Sequence, residues 1–230
     1  MSLDLDAIIH DKRSGSSKII KDTLELLKKV KENERYDVCK KIVKAHPSMA
    51  GLKVIMEFIK SNPRIDELIE KIEEMNSKTS ENLEKIVEGK IVTTLSRSHI
   101  VEKGLLKAKK INVLESKPEK EGIDIARWLK GRDKEVEIFY DAFMSYAIKK
   151  CDVVVVGADS LLKTGFVNKT GTLPLALTAK HLKKEFYVAA PSYKLVNENN
   201  LEFNENFEFV EKELVTAFIW EKGTGKIDDF

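Results

Sequence analysis

The stretch VVVVGADSLLKTGFVNKTGTLPLALTAK, residues 153–180, decides how the rest of the chain is read. Four successive valines without polar alternation predict a strand buried on both faces, as in a parallel sheet covered by helices on two sides. The run stops at Gly157, and Asp159 follows at once. Asn168 and Lys169 come next, ahead of Thr170-Gly171-Thr172, the expected start of a helix. An Asn can fix a turn there, and a Lys can meet an anion near a helix start. Each residue alone has an ordinary structural explanation, but an acid, an amide and a cation beyond one buried strand point to a small anionic ligand.

Outward from this stretch the pattern repeats. β-rich runs occur at KIVTTL (90–95), KINVLE (110–115), VEIFY (136–140), DVVVVGA (152–158) and EFYVAA (185–190), with a sixth expected within 207–220, around FEFV or VTAFIW. Helical stretches separate the first five: HIVEKGLLKAKK, GIDIARWLKG, DAFMSYAIKK and TLPLALTAKHLKK. Strand–helix alternation at this spacing predicts an α/β fold, a Rossmann-like parallel sheet with helices on both faces. Before it the chain reads as helical: KIIKDTLELLKKVKE and MAGLKVIMEFIKS carry apolar residues near helical spacing, and RIDELIEKIEEMNSKTSENLEKIVEG reads as one long helix or two. The expected division is a small all-helical N-terminal domain over 1–85 and the Rossmann-like domain over 86–230.

In open parallel sheets, ligands sit beyond the carboxyl ends of the strands where the strand order reverses. With the order 3-2-1-4-5-6, strands one and four are neighbours across that crevice. Ser96, Arg97 and Ser98 would then meet Asp159. Two hydroxyls and a guanidinium ahead of a helix suit a phosphate, although an N-cap beside a surface Arg would read the same way.

Composition bounds the function. The chain has 230 residues, 42% hydrophobic and 34% charged, with a formal net charge of +2. These values fit a soluble chain with a sizeable core, and the mixed charges give no basic stripe for direct nucleic-acid binding. The apolar runs are too short to span a bilayer. The N-terminal MSLDLDAIIHDKR carries early acids and lacks the apolar centre of a secretory leader, so a cytoplasmic location is expected. Cys39 and Cys151 are not in a CxxC pair, which argues against a disulfide framework or structural zinc. The four His are scattered, and no metal or cofactor is expected. Cys151 begins a strand and reads as core, as does Trp128 on a helix with Ile125 and Leu129. GTGK at 223–226 lacks the earlier Gly of a phosphate-binding loop and has Ile227 in place of Ser/Thr. Gln is absent while Lys and Glu are abundant, a composition found in proteins that work hot.

These residues resemble a known family. GADSLLKTGFVNKTGT is similar to the GA(D/E)…NGxxxNKxGT signature of the alpha, beta and delta regulatory subunits of translation initiation factor 2B. That superfamily also holds methylthioribose-1-phosphate and ribose-1,5-bisphosphate isomerases. DKRSGSSKI, AHPSMAGL, TTLSRSHIVEKGLLKA, LESKPEKEGIDIA, FYVAAPSYKL and KELVTAFIWEKG resemble further family segments in the right order, over nearly the whole chain. The resemblance implies a helical domain followed by a Rossmann-like one. It also implies a homodimer through the C-terminal domain, association with other initiation factor subunits, and a sugar-phosphate or nucleotide pocket using Arg13, Gly15, Ser96, Arg97, Ser98, Asp159, Asn168 and Lys169. In the isomerases a Cys pairs with the Asp of GAD to move a proton between aldose and ketose phosphates. Leu95 stands where that Cys would be, so Asp159 would be catalytic only if another acid had taken its place. His46 replaces the Arg of the family's RPT segment, which implies a weaker phosphate contact at neutral pH, and Lys117 replaces the Arg of the ESRP segment, not a conservative swap where bidentate geometry is needed. The TTLSRS loop resembles the regulatory branch more than the isomerase branch.

Overall fold

The four valines divide between two cores. The computed structural model describes residues 4–11, 14–61, 64–196 and 202–230. Among these the strands are β1 (Ile91–Thr94), β2 (Lys110–Leu114), β3 (Glu135–Phe139), β4 (Val153–Val156), β5 (Ser160–Leu162), β6 (Gly165–Lys169), β7 (Glu185–Ala189), β8 (Phe207–Glu211), β9 (Ala217–Trp220) and β10 (Gly223–Gly225). The helices are α1 (Leu5–His10), α2 (Ser16–Lys29), α3 (Glu32–Ala45), α4 (Ala50–Ser61), α5 (Ile65–Val87), α6 (His99–Gly104), α7 (Glu121–Lys130), α8 (Met144–Lys149) and α9 (Thr172–His181).

Seven strands form the main sheet in the order β10-β9-β7-β4-β1-β2-β3, with β4 at its centre. All pairings are parallel except β9 with β10. Val154 and Val156 face a core closed by Ala147 and Ile148 of α8 and Leu175, Ala176 and Ala179 of α9. Val153 and Val155 face the opposite core, closed by Leu83 and Val87 of α5, Ile100 and Val101 of α6, and Ile125, Ala126 and Leu129 of α7. Strand pleating sends successive side chains to opposite faces, so only an unbroken apolar run fits a strand with a core on each side. Each buried valine contributes roughly 1.5–3 kcal/mol.

The helical region has its own core, built from Ile19, Ile20, Leu24 and Leu27 of α2, Cys39 and Ile42 of α3, and Leu52 and Ile55 of α4. Helix α5 is one continuous helix of 23 residues. Its Ile65, Leu68 and Ile72 pack into this helical core, while Leu83 and Val87 pack under the sheet.

Three details sharpen the sequence reading. Of the two runs expected to hold the sixth strand, VTAFIW does, as the parallel Ala217–Trp220, whereas Phe207–Glu211 belongs to a second sheet of order β5-β6-β8. Residues 165–169 are a strand of that sheet rather than a turn leading into a helix, so Asn168 pairs in register with Glu208. The GTG of 223–225 is the antiparallel edge strand β10. Trp128 packs against the core beneath α7, and Arg132 stacks on its ring at 3.7 Å.

Candidate functional site

Strands β1 and β4 are hydrogen-bonded neighbours, with Val92 opposite Val153 and Thr93 opposite Val154. Their carboxyl ends therefore open side by side. Gly157 makes the approach possible: a Cβ there would lie 2.8 Å from both Cβ and Oγ of Ser98. The N-terminal segment closes on the same point, because a Cβ on Gly15 would lie 2.3 Å from the carbonyl oxygen of Arg97. Between these elements is a crevice of about 50 Å³, lined by Gly15, Leu95, Ser96–Ser98, Glu121, Asp159, Asn168 and Lys169, among others. A space of this size holds a few water molecules, so a sugar phosphate requires its walls to part.

Apart from Arg13, which lies outside the described residues, the expected site residues all border this crevice. Ser96 sits in the left-handed region at φ 64°. It is held there by its own N–H donating to Ser116 Oγ at 2.7 Å and its hydroxyl donating to Glu121 Oε1 at 2.9 Å. Arg97 Nε donates to Glu102 Oε2 at 3.1 Å, which ties the guanidinium to a buried carboxylate of α6. Ser98 caps α6, accepting from the Val101 N–H. That helix has six residues, under two turns, and Ser98 serves it as the N-cap that the sequence reading offered as its alternative.

Asp159 is mostly buried, and its backbone N–H donates to the Val167 carbonyl at 2.9 Å. Its neighbour Ser160 donates to the Ser48 carbonyl at 2.6 Å and accepts from the Ala50 N–H at 2.9 Å, fastening the 48–50 segment to the crevice. Asn168 Nδ2 donates to Thr172 Oγ1 at 3.0 Å, and that hydroxyl donates to the Lys169 carbonyl at 2.6 Å. This small network sets the start of α9. Lys169 Nζ lies 3.5 Å from Glu121 Oε1 and 5.3 Å from the centre of the Phe207 ring.

Leu95 is buried and forms part of the crevice wall. His46 also borders it, its Nε2 paired at 2.8 Å with the Ile8 carbonyl. Lys117 is turned outward toward Glu115 at 3.5 Å. Cys151 lies in the core, where burial raises its thiol pKa.

Sequence reasoning missed two charged groups. Lys194 is fully buried and donates to Ser16 Oγ and to the Ala158 carbonyl, both at 2.8 Å. Burial pushes its pKa down from 10.5 to about 8, against the opposing pull of the Asp159 charge. It follows β7, the other neighbour of β4, so strand order was the signal that could have found it. Glu121 opens α7 and reads in sequence as an ordinary first-turn acid, but it is 1% exposed and faces the crevice.

Comparison with known proteins adds to this geometry. The model of the initiation factor 2 subunit family matches residues 14–224. The chain belongs to the initiation factor 2 subunit family. A Pyrococcus horikoshii member, named as translation initiation factor eIF-2B subunit 2-like, is 32% identical over 197 residues, covering 79% of this chain and 71% of that protein. The ribose 1,5-bisphosphate isomerase of Methanocaldococcus jannaschii is 30% identical over 173 residues, covering 66% of this chain and 56% of the isomerase. Among solved structures, the translation initiation factor eIF-2B of Pyrococcus horikoshii OT3 superposes with a TM-score of 0.83 at 27% identity, covering 96% of this chain and 95% of that one. Proteins similar to this chain thus include ones named as initiation factors and ones named as sugar-phosphate isomerases. Among the described residues, no helix is long and apolar enough to cross a membrane.

Proposed function

We propose that this chain is a regulatory, ligand-binding member of the family whose crevice holds a sugar phosphate or nucleotide without transforming it. The observation that carries this reading is Leu95, an alkyl side chain in the crevice wall at the position where the isomerase resemblance expects a Cys. An alkyl group neither donates nor accepts a proton, so Asp159 orients a ligand hydroxyl but has no thiol partner for proton transfer. Lys169 and Asn168 flank it, and Arg13 completes the ligand set expected from the resemblance. The protein acts in the cytoplasm as a homodimer through the 86–230 domain, alongside other initiation factor subunits. Support for a contact surface comes from Ile138, Tyr140, Phe143, Tyr146 and Leu177, all exposed, at the β3 edge and on or beside α8 and α9. Exposed aromatic clusters of this kind mark protein contacts.

Calorimetric titration with adenosine monophosphate, guanosine diphosphate and ribose 5-phosphate tests the reading: at least one should bind, and Asp159→Asn should weaken it. Failure of all three to bind would count against the proposal.

A second reading, aldose–ketose isomerisation, is favoured by one observation: Asp159 shares the crevice with another carboxylate, Glu121. Robust turnover of ribose 1,5-bisphosphate or methylthioribose-1-phosphate, abolished by Asp159→Asn, would establish it in place of the first.

A further inference from the structure

Strands β7, β4, β1, β2 and β3 are parallel neighbours, so the five turns that lead into them lie along one edge of the sheet, opposite the crevice. Those turns, residues 88–90, 107–110, 130–135, 149–152 and 180–185, hold twelve Lys or Arg against five Asp or Glu. The whole chain is nearly balanced, at 40 against 38. None of the twelve cations is buried. They come in ones, twos and threes between residues 90 and 184, with acids in the stretches between, so the sequence shows no basic stripe. Parallel topology gathers them.

Ordinary causes account for part of this edge. Helix ends attract cations, which explains Lys107, Lys130, Lys149 and Lys180, each in the last turn of its helix. Lys110 pairs with Glu135 and Glu137, Lys184 Nζ donates to the Cys151 carbonyl, and Arg132 lies on the Trp128 ring. Lys90, Lys109, Lys134, Lys150 and Lys183 stand beyond the helix ends, and among the described residues they make no ion pair. Five strands spaced about 4.8 Å apart spread these charges over roughly 20 Å. Like charges so arrayed repel one another, and a polyanion relieves the repulsion.

The make-up of the edge distinguishes between polyanions. Protein interfaces are built on apolar and aromatic anchors and are poor in Lys. Here the rings beside the edge are already engaged: Trp128 carries Arg132 at 3.7 Å, and Tyr146 meets Lys150 at 4.3 Å and Phe139 at 6.1 Å. No free ring is left to anchor a protein segment or to stack an unpaired base. Ammonium groups on long stems suit phosphates at varied positions, and a duplex backbone asks for nothing more. We infer that the amino edge of the sheet binds double-stranded RNA through its phosphates, without reading its bases. The contact rests on the charges; the choice of RNA over DNA rests on the initiation-factor reading above.

The test is fluorescence anisotropy of a labelled 20-base-pair RNA duplex, with a DNA duplex, a single-stranded RNA and polyglutamate as competitors. With four to six phosphates neutralised, affinity should fall about 10²–10³-fold between 50 and 200 mM salt. Lys90→Glu, Lys109→Glu, Lys150→Glu and Lys183→Glu combined should weaken binding about 100-fold at 100 mM salt. The same four positions changed to Gln should weaken it about tenfold, and this milder variant decides the matter if the first does not fold. Lys40→Glu, Lys41→Glu, Lys44→Glu and Lys71→Glu combined alter net charge equally on the exposed face of the helical region, and should stay within about threefold of wild type. An equal loss in that control overturns the inference, as does a wild type that binds no duplex at 100 mM salt. Stronger competition by polyglutamate overturns it in favour of an acidic protein, by single-stranded RNA in favour of unpaired bases, and by the DNA duplex in favour of DNA. Ribose 5-phosphate titration reads the crevice separately. Ribose phosphate binding without duplex binding overturns this inference alone, and duplex binding without ribose phosphate binding supports it while removing the sugar-phosphate ligand from the proposed function.

Discussion

Lys194 Nζ donates to Ser16 Oγ at 2.8 Å, joining the start of α2 to the loop after β7 across 178 positions of sequence. The same ammonium donates to the Ala158 carbonyl, one residue before Asp159. One buried cation thereby fixes the N-terminal helices, the tip of β4 and the acid of the crevice relative to one another.

This bond has a pH signature. Burial lowers the pKa of Lys194 to about 8, while in the unfolded chain it returns to about 10.5. Between these values the unfolded state binds more protons than the folded state, so stability rises with pH across the window and is lost again as pH falls through about 8. Urea denaturation of the wild type and Lys194→Met from pH 7 to 10.5 should show the wild type gaining up to roughly 3 kcal/mol relative to the variant. A flat difference would mean that Lys194 is not held in this environment.

The thiols should be inert in the folded protein. Cys39 is fully buried, and desolvation raises its pKa to about 12. Cys151 is also buried, and its pKa is raised for the same reason. The thiolate is the reactive form. At pH 8 a colorimetric disulfide reagent should label neither residue over minutes in native buffer and both in denaturant; prompt native labelling would contradict the packing described.

Gly157→Ala should separate the two strand tips. The added Cβ would fall 2.8 Å from Ser98, so the 96–98 loop or the end of β4 must move. We expect a loss of about 1–3 kcal/mol in chemical denaturation, together with weaker binding of whichever ribose phosphate the wild type binds. Wild-type stability and affinity in this variant would show that the tips do not meet as described.

The aromatic patch predicts the oligomeric state. Tyr140 and Phe143 lie ring against ring in a tilted arrangement, centres 6.3 Å apart and planes at 58°, while both remain exposed. Light scattering at micromolar concentration should report a dimer for the wild type and a monomer for Phe143→Asp combined with Tyr140→Ser. A monomeric wild type would remove the dimer from the proposed function.

The strand framework was legible because buried parallel strands cannot disguise themselves. Val153–Val156 has a core on both sides, and its four β-branched residues end at Gly157, too short a run for a helix. From that strand and the order of its neighbours, the meeting of Ser98 with the tip of β4 followed. The β5–β6 hairpin was not legible. Its connection, Lys163-Thr164, has none of the Asn-Gly or Asp-Gly chemistry that announces a two-residue turn. Gly165 is there for another reason, since a Cβ would lie 2.1 Å from the Val210 carbonyl oxygen. Glu121 and Lys194 escaped notice because acids at helix starts and lysines in loops are usually solvated; only tertiary packing turns these two inward.

Helix α5 places its first half in one hydrophobic interior and its last turns in another. At about 1.5 Å per residue it is a rod roughly 34 Å long with no break where a hinge could form. Melting either interior strips one end of that rod of its packing, and a helix so bared is unstable in water. Scanning calorimetry should therefore record a single endotherm for the whole chain, with calorimetric and van't Hoff enthalpies in agreement. The helical bundle and the sheet live on one thermodynamic fuse.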